Sequence, residues 1–169
     1  MTARDLRRAL VGVVFAVLIQ YLLGIAVNLF VTILTRHPGA QPPEYFSGVV
    51  QSVTWAALHG PFLLVLHASF GLLLVVASAA VVVWAWPLGG RMLRWTGVLG
   101  ALFVLAAGFN GGSFLNYNED FSSMLMAAFF ALAPACYVLA LYALSNPAPL
   151  GGGDSPPLGG GVRPEAGRG

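Results

Sequence analysis

The sequence predicts an all-α integral membrane protein, a bundle of four helices that cross the bilayer. Two observations lead to this fold class. The 169 residues are 58% hydrophobic and only 8% charged, whereas soluble domains carry roughly 25% charged residues. The apolar residues also gather into four runs, each long enough to span a hydrocarbon core of about 30 Å as a helix. A chain with so little polar surface is expected to have the bilayer as its solvent.

The four apolar runs define the predicted spans and the domain organisation. We expect one four-span domain over residues 1–146, with spans at about 9–34, 61–84, 95–115 and 121–144. Each span is expected to be helical, because backbone groups inside lipid must be satisfied within their own segment. Residues 147–169 are rich in glycine and proline and almost free of apolar side chains, which predicts a disordered cytoplasmic tail.

The placement of arginine predicts the orientation of the bundle. Seven of the eight basic residues fall on one side of a four-span bundle, at positions 4, 7, 8, 91, 94, 163 and 168. The other side has only Arg36, and basic residues concentrate in cytoplasmic segments. We therefore expect both termini in the cytoplasm. The first span is expected to stay uncleaved, because its apolar run is too long for a signal peptide and no small-residue cleavage site closes it promptly. The absence of lysine beside abundant alanine, glycine and arginine is typical of GC-rich bacteria, which indicates the bacterial plasma membrane.

The long connection between the first two spans is expected to lie on the outer side. Its prolines at 38, 42 and 43 interrupt any helix there. From Glu44 onward, apolar residues recur at helical spacing, namely Phe46, Val49, Val50, Val53 and Ala57. This pattern predicts a short amphipathic helix in the outer loop, with a bend at Gly60 and Pro61 before the second span.

Polar and small residues within the spans form two stripes. Gln20, Gly24, Asn28 and Thr32 follow at four-residue steps in the first span, and His67, Gly71 and Ser78 share one face of the second. Such stripes are typical of helix packing, in which small residues allow close approach and amides bond between helices. We favour helix packing, and one wall of a polar cavity is the alternative that the sequence leaves open.

A shared depth predicts an outward-facing polar pocket in the outer leaflet. A dense polar run at 110–123 joins the third and fourth spans, while the inner half of the bundle is nearly featureless. The candidate ligand-binding residues are Asn28, His59, His67, Asn110, Ser113, Asp120 and Ser123. Capping of the fourth span is the competing interpretation for Asp120. A hydrogen bond to a neighbouring helix is the competing interpretation for His67.

The two histidines of this region carry a resemblance to known families. His59 and His67, followed by a Leu- and Gly-rich helix, are similar to the histidine-bearing spans of cytochrome b561 and haem A synthase proteins. The resemblance covers one helix and implies a b-type haem or quinone-handling electron-transfer protein. Haem b would then be held by His67 with Met124 or Met126. Those families take axial ligands from two helices, whereas the other three spans here contain no histidine, so a homodimer is the other source of a second ligand.

The remaining patterns exclude some functions and leave others open. The few arginines form no basic face for nucleic acid, and the single Cys136 allows neither an internal disulfide nor a cysteine metal cluster. We find no nucleophile with a base and no metal triad, which favours a protein that is not an enzyme. A metal site is one open alternative, with candidate ligands His37, Glu44, His59 and Asp120.

As a whole, the chain resembles uncharacterised four-helix membrane proteins of GC-rich bacteria, which implies a class and no activity. We therefore expect a non-catalytic accessory, assembly or lipophilic-ligand-binding protein. Its expected partners are the lipid bilayer and either other membrane proteins or further copies of the chain. A small transporter subunit is a further alternative, although no Asp or Glu falls inside a predicted span.

Overall fold

The protein folds into five α-helices. The structure, a computed structural model, describes residues 2–33, 35–88 and 90–146. The helices are α1 (Ala3–Phe30), α2 (Tyr45–His59), α3 (Phe62–Leu88), α4 (Arg91–Tyr117) and α5 (Asp120–Ser145). Four of them, α1, α3, α4 and α5, are long and apolar enough to cross a membrane. The all-helical class with four apolar helices is thereby confirmed. The predicted disordered tail at 147–169 lies outside the described residues.

The long helices extend beyond the apolar runs that predict them. Helix α1 begins at Ala3 because Thr2 and Asp5 form a capping box, in which each side chain accepts a hydrogen bond from the other's backbone N–H. Helix α4 continues to Tyr117, where Asn118 adopts the left-handed conformation (φ 54°) that commonly ends a helix. Hydropathy marks the apolar part of a helix, whereas hydrogen bonding and capping determine its ends.

The four long helices form a closed ring. Helix α1 packs against α3 and α5, and α4 packs against the same two helices. Consecutive long helices run in opposite directions, so the ring has two ends. Helix α2 packs against α3 and α4 at one of them, which we call the α2 end. We call the other the arginine end, because Arg4, Arg7, Arg8, Arg91 and Arg94 lie there.

Two buried apolar clusters fill the ring. The larger cluster extends from the middle of the bundle to the arginine end and includes Leu10, Val81 and Tyr137. A smaller cluster at the α2 end joins Val27, Ala56, Leu64 and Leu115. Large apolar side chains also cover the outside of the bundle, as expected of helices that face lipid.

Candidate functional site

A cavity of about 640 Å³ lies between the two apolar clusters, in the half of the bundle next to α2. Its volume falls within the range of about 300–1,000 Å³ that is usual for small-molecule sites. All five helices contribute to the wall, and most of the lining side chains are apolar, including Ile25, Val53, Leu72, Val104 and Phe130. The cavity is partly open to the outside of the bundle.

Gln20 and His67 form a hydrogen-bonded pair in the cavity wall. Gln20 is 2% exposed, and its Nε2 donates to the backbone carbonyl of His67 at 2.9 Å. The same nitrogen lies 3.1 Å from Nδ1 and 3.4 Å from Nε2 of the His67 ring. The bond to a carbonyl determines the orientation of the amide, because the swapped orientation would bring two oxygens together. The pair connects α1 to α3 within the apolar stretches of both helices.

Two glycines make room for this pair. A Cβ at Gly24 would lie 3.1 Å from Cε1 of His67, and a Cβ at Gly71 would lie 3.1 Å from Nε2 of Gln20. Each glycine therefore faces the polar side chain of the opposite helix. The two sequence stripes meet here: Gln20, Gly24 and Asn28 of α1 and His67 and Gly71 of α3 all line the cavity. Helix packing and a cavity wall thus use the same residues.

The ring of His67 faces a hydrogen-bond donor on α1. Nε2 of Gln20 lies within hydrogen-bond distance of both ring nitrogens, and an amide nitrogen can only donate. A histidine that binds iron or another metal normally donates from its second ring nitrogen to a carbonyl or carboxylate. The Gln20 amide therefore offers the His67 ring a donor where an axial haem ligand would need an acceptor.

The cavity includes some of the predicted site residues and not others. Four of the candidates line the cavity, namely Asn28, His67, Ser123 and Met126. The other five candidates lie outside its lining: His59, Asn110, Ser113, Asp120 and Met124. Asn110 donates to the carbonyl of Ala106 in its own helix at 2.8 Å. Ser113 accepts from Ser122 at 3.2 Å across the α4–α5 contact.

The remaining three residues lie on the surface of the bundle. His59 is the exposed last residue of α2, and Met124 is 58% exposed. Asp120 is the exposed first residue of α5, whose N-cap is Glu119. Asp120 is therefore one position too late to be the cap that the sequence suggests.

The outer-loop metal hypothesis finds no support in the described part of the chain. Within it, no three His, Cys, Asp or Glu side chains come close enough to hold a metal ion. His37 instead stacks on Trp55 with ring centroids 4.4 Å apart. Glu44 caps α2 by accepting hydrogen bonds from the backbone N–H groups of Phe46 and Ser47.

A second buried polar group, around Asn116, is one that the sequence analysis did not single out. Asn116 is 2% exposed, and its amide is satisfied when Nδ2 points toward the loop before α2. In that orientation Nδ2 lies 3.1 Å from the carbonyls of Gly39 and Gly48 and 2.6 Å from Oγ of Ser52. The sequence does contain a signal for this group. Asn116 follows Gly112 by four residues, so the two lie on the same face of α4 within the polar run.

No protein-family model, curated protein or solved structure matches the chain. The class that the fold defines is a small all-helical bundle with four helices able to span a membrane.

Proposed function

We propose that this protein is a non-catalytic membrane protein that binds one lipophilic molecule in the cavity of its bundle. The observation that carries the proposal is the cavity itself, an apolar space with the Gln20–His67 pair in its wall. Binding sites for small molecules combine mainly apolar walls with a few placed polar groups. A hydrocarbon tail suits the apolar walls, and a small polar head suits the end of the cavity where the pair lies.

The charge distribution supports an orientation for this site. The arginine end carries five described arginines and the single acid Asp5, whereas the α2 end carries Arg36 with the acids Glu44, Glu119 and Asp120. Because basic residues favour the cytoplasmic side, we place both termini in the cytoplasm and α2 outside. The cavity then lies in the outer leaflet of a bacterial plasma membrane, where lipophilic molecules are concentrated.

The alternatives gain less support from the residues of the cavity. Met126 shares the cavity with His67, while Met124 does not, so one methionine is left for the haem alternative. The Gln20 amide also offers the His67 ring a donor, where a metal-binding histidine normally has an acceptor. No acid is found among the described residues that line the cavity, and proton-coupled transport usually needs an acid at membrane depth.

Native mass spectrometry of protein purified from its own membranes tests the proposal. We expect one lipophilic adduct per chain. Gly108 is an exposed glycine that lines the partly open cavity, with no atom within 4 Å of a Cβ built on it, so Gly108→Leu should obstruct the open side of the cavity and lower adduct occupancy about tenfold, the effect of about 1.4 kcal/mol. The control is Gly12→Leu, at an exposed glycine of α1 with equal free space that does not line the cavity.

Three results would overturn the proposal. One is the absence of any adduct, and another is equal occupancy in wild type and Gly108→Leu. The third is a Soret absorption band that disappears in His67→Ala, which would establish the haem alternative instead. A stoichiometric protein partner that co-purifies without any lipophilic adduct would favour an accessory or assembly role.

A further inference from the structure

A second pocket, of about 580 Å³, lies at the arginine end of the bundle, where α3 meets α4. Its lining combines Trp86, at the end of α3, with Arg91, Arg94 and Trp95, at the start of α4. We call it the arginine pocket. It lies at the opposite end of the bundle from the cavity of the proposed function, so what it binds is a separate question that does not depend on that function.

A cation–π contact positions one of the two arginines. Cζ of Arg94 lies 5.6 Å from the centroid of the Trp86 ring, within the distance of about 6 Å over which an aromatic face attracts a cation. The contact crosses from α4 to α3. It attracts the charge of the guanidinium but provides no oxygen acceptor for its N–H donors, which an anion could use.

No carboxylate on the long helices neutralises the arginine pocket. Helices α3 and α4 contain no Asp or Glu, and the only acid of α5, Asp120, lies at the opposite end. Asp5 of α1 accepts hydrogen bonds from the backbone N–H and the hydroxyl of Thr2, and α1 lies across the ring from α4. The start of α4 adds further positive potential, because its N-cap, Gly90, has no side chain that could occupy the free N–H groups.

An exposed apolar stripe on α4 continues from the two arginines toward the middle of the bundle. Trp95, Val98 and Leu102 follow Arg91 and Arg94 at helical spacing on one face. Trp95 is 57% exposed and Leu102 is 53% exposed. A phospholipid matches both parts of this surface, with a phosphate at the interface and acyl chains in the hydrocarbon core. A soluble anion would match only the arginines.

We infer that the arginine pocket binds the head group of one anionic phospholipid. Arg91 and Arg94 hold the phosphate, because the planar guanidinium can donate two parallel hydrogen bonds to it, and basic pockets between membrane helices bind acidic lipid head groups. Trp86 keeps Arg94 in position, and one acyl chain lies along the α4 stripe. A zwitterionic phospholipid binds more weakly, because its ammonium group is repelled by the same arginines.

Lipid titration followed by native mass spectrometry tests the inference. The delipidated full-length protein in detergent is offered phosphatidylglycerol or phosphatidylcholine with identical acyl chains. We expect wild type to bind phosphatidylglycerol about tenfold more tightly, a factor equivalent to about 1.4 kcal/mol and within what two cations contribute near an anionic lipid. In the double variant Arg91→Gln with Arg94→Gln, the ratio of the two dissociation constants should fall to about one.

A second double variant separates the pocket from general positive charge. Arg4→Gln with Arg7→Gln removes the same charge from the same end of the bundle. Both positions are exposed on α1 and lie outside the lining of the arginine pocket. The preference for phosphatidylglycerol should therefore stay close to that of wild type.

A pair of tryptophan variants tests the position of Arg94. Trp86→Leu keeps the site apolar but removes the ring beside the guanidinium, so the preference should fall about threefold, a cation–π contribution of usual size. Trp84→Leu is the control, because Trp84 is a partly exposed tryptophan of the same helix that does not line the pocket. That variant should retain the preference of wild type.

Four outcomes would overturn the inference. Equal binding of the two lipids to wild type would show that the pocket does not select an anionic head group. Equal losses in the two double arginine variants would show that general positive charge acts instead of the pocket. Displacement of phosphatidylglycerol by an equal concentration of inorganic phosphate would show that the pocket binds a free anion. Loss of the preference in Gly108→Leu, which obstructs the other cavity, would place the lipid there.

Discussion

At the scale of single residues, the buried Asn116 links the α2 end to α4. One amide joins the carbonyls of Gly39 and Gly48 to α4, and its oxygen accepts from the backbone N–H of Val49 at 3.1 Å. The backbone carbonyl of Asn116 also accepts from the N–H of Gln41 at 2.8 Å. Asn116 therefore anchors the loop before α2 to α4, in addition to the stacking of His37 on Trp55.

Removing this side chain should destabilise the protein measurably. In Asn116→Ala, the carbonyls of Gly39 and Gly48 and the hydroxyl of Ser52 lose a partner. We expect the free energy of unfolding to fall by about 1–3 kcal/mol, measured by thermal unfolding in detergent. The loop before α2 should also become more sensitive to protease.

Asn110→Ala is the matched control, on the same helix and with the same change of side chain. Its amide bonds only to Ala106, a turn away in α4, so the expected loss is within about 0.5 kcal/mol. Equal losses in the two variants would contradict the role assigned to Asn116.

The sequence anticipated some of these residue-scale features. The α1 and α3 stripes, with Gln20 and His67 among them, are recognisable because polar residues in a membrane helix face its neighbours. The hydrogen bond between Gln20 and His67 is not recognisable from the sequence, because it depends on the rotation and depth of two helices that are joined by a long loop. Asn110 and Asn116 have the same side chain and belong to the same polar run. Only the packing of the helices determines that Asn116, and not Asn110, bonds to another part of the chain.

At the scale of the elements, the extensive contact between α4 and α5 includes one very close approach. A Cβ at Gly100 would lie 2.7 Å from Cε1 of Tyr137, which is fully buried. The tyrosine ring therefore packs directly on the backbone of α4. Small residues that admit a neighbour in this way are a usual means of packing membrane helices, where the hydrophobic effect gives no help.

Adding one methyl group at this contact should separate the helices. We expect Gly100→Ala to lower the free energy of unfolding by about 1–3 kcal/mol through overpacking, measured by unfolding in mixed detergent and SDS. Gly97→Ala is the control, because Gly97 is also buried in α4 but has no atom within 4 Å of its Cβ position. That variant should be neutral or more stable, since alanine favours a helix over glycine by about 0.5–1 kcal/mol. Destabilisation of similar size in both variants would show that glycine is needed for another reason.

The helices themselves were largely predictable, and their ends were not. A run of apolar residues must be helical in lipid, so the four spans follow from hydropathy alone. The extension of α3 to Leu88, through Pro87 in its last turn, does not follow, because proline is ordinarily a sign that a helix has ended. The predicted first span extended to residue 34, but α1 ends at Phe30, where Val31 is already extended (φ −114°).

At the scale of the whole molecule, the ring order of the helices was only partly predictable. Short connections made α3, α4 and α5 expected neighbours in sequence order, and α3–α4 and α4–α5 contacts are present. The closure of the ring between α1 and α5 depends on tertiary packing between segments far apart in sequence. The contact between α1 and α5 completes the wall of the cavity. The polar residues of the spans therefore suggest a cavity, but the sequence does not reveal which helices form its walls.

The orientation of the bundle is the last feature to test, because it decides which leaflet holds the cavity. Gln51 is exposed on α2 and Ser145 is exposed at the end of α5, so the two report on opposite ends. In a Cys136→Ala background, which removes the only native thiol, Gln51→Cys should react with a membrane-impermeant maleimide in intact bacterial spheroplasts. Ser145→Cys should react only after the membrane is permeabilised.

This expectation follows from charge alone, since the arginine end resists translocation while the α2 end carries one arginine and three acids. Permeabilised cells, in which both cysteines should react, are the control for accessibility. The reverse labelling pattern would place the cavity in the inner leaflet, and labelling of both cysteines in intact cells would indicate a mixed orientation. Either result would contradict the proposed topology while leaving the Gln20–His67 site intact, because that site depends on packing within the bundle.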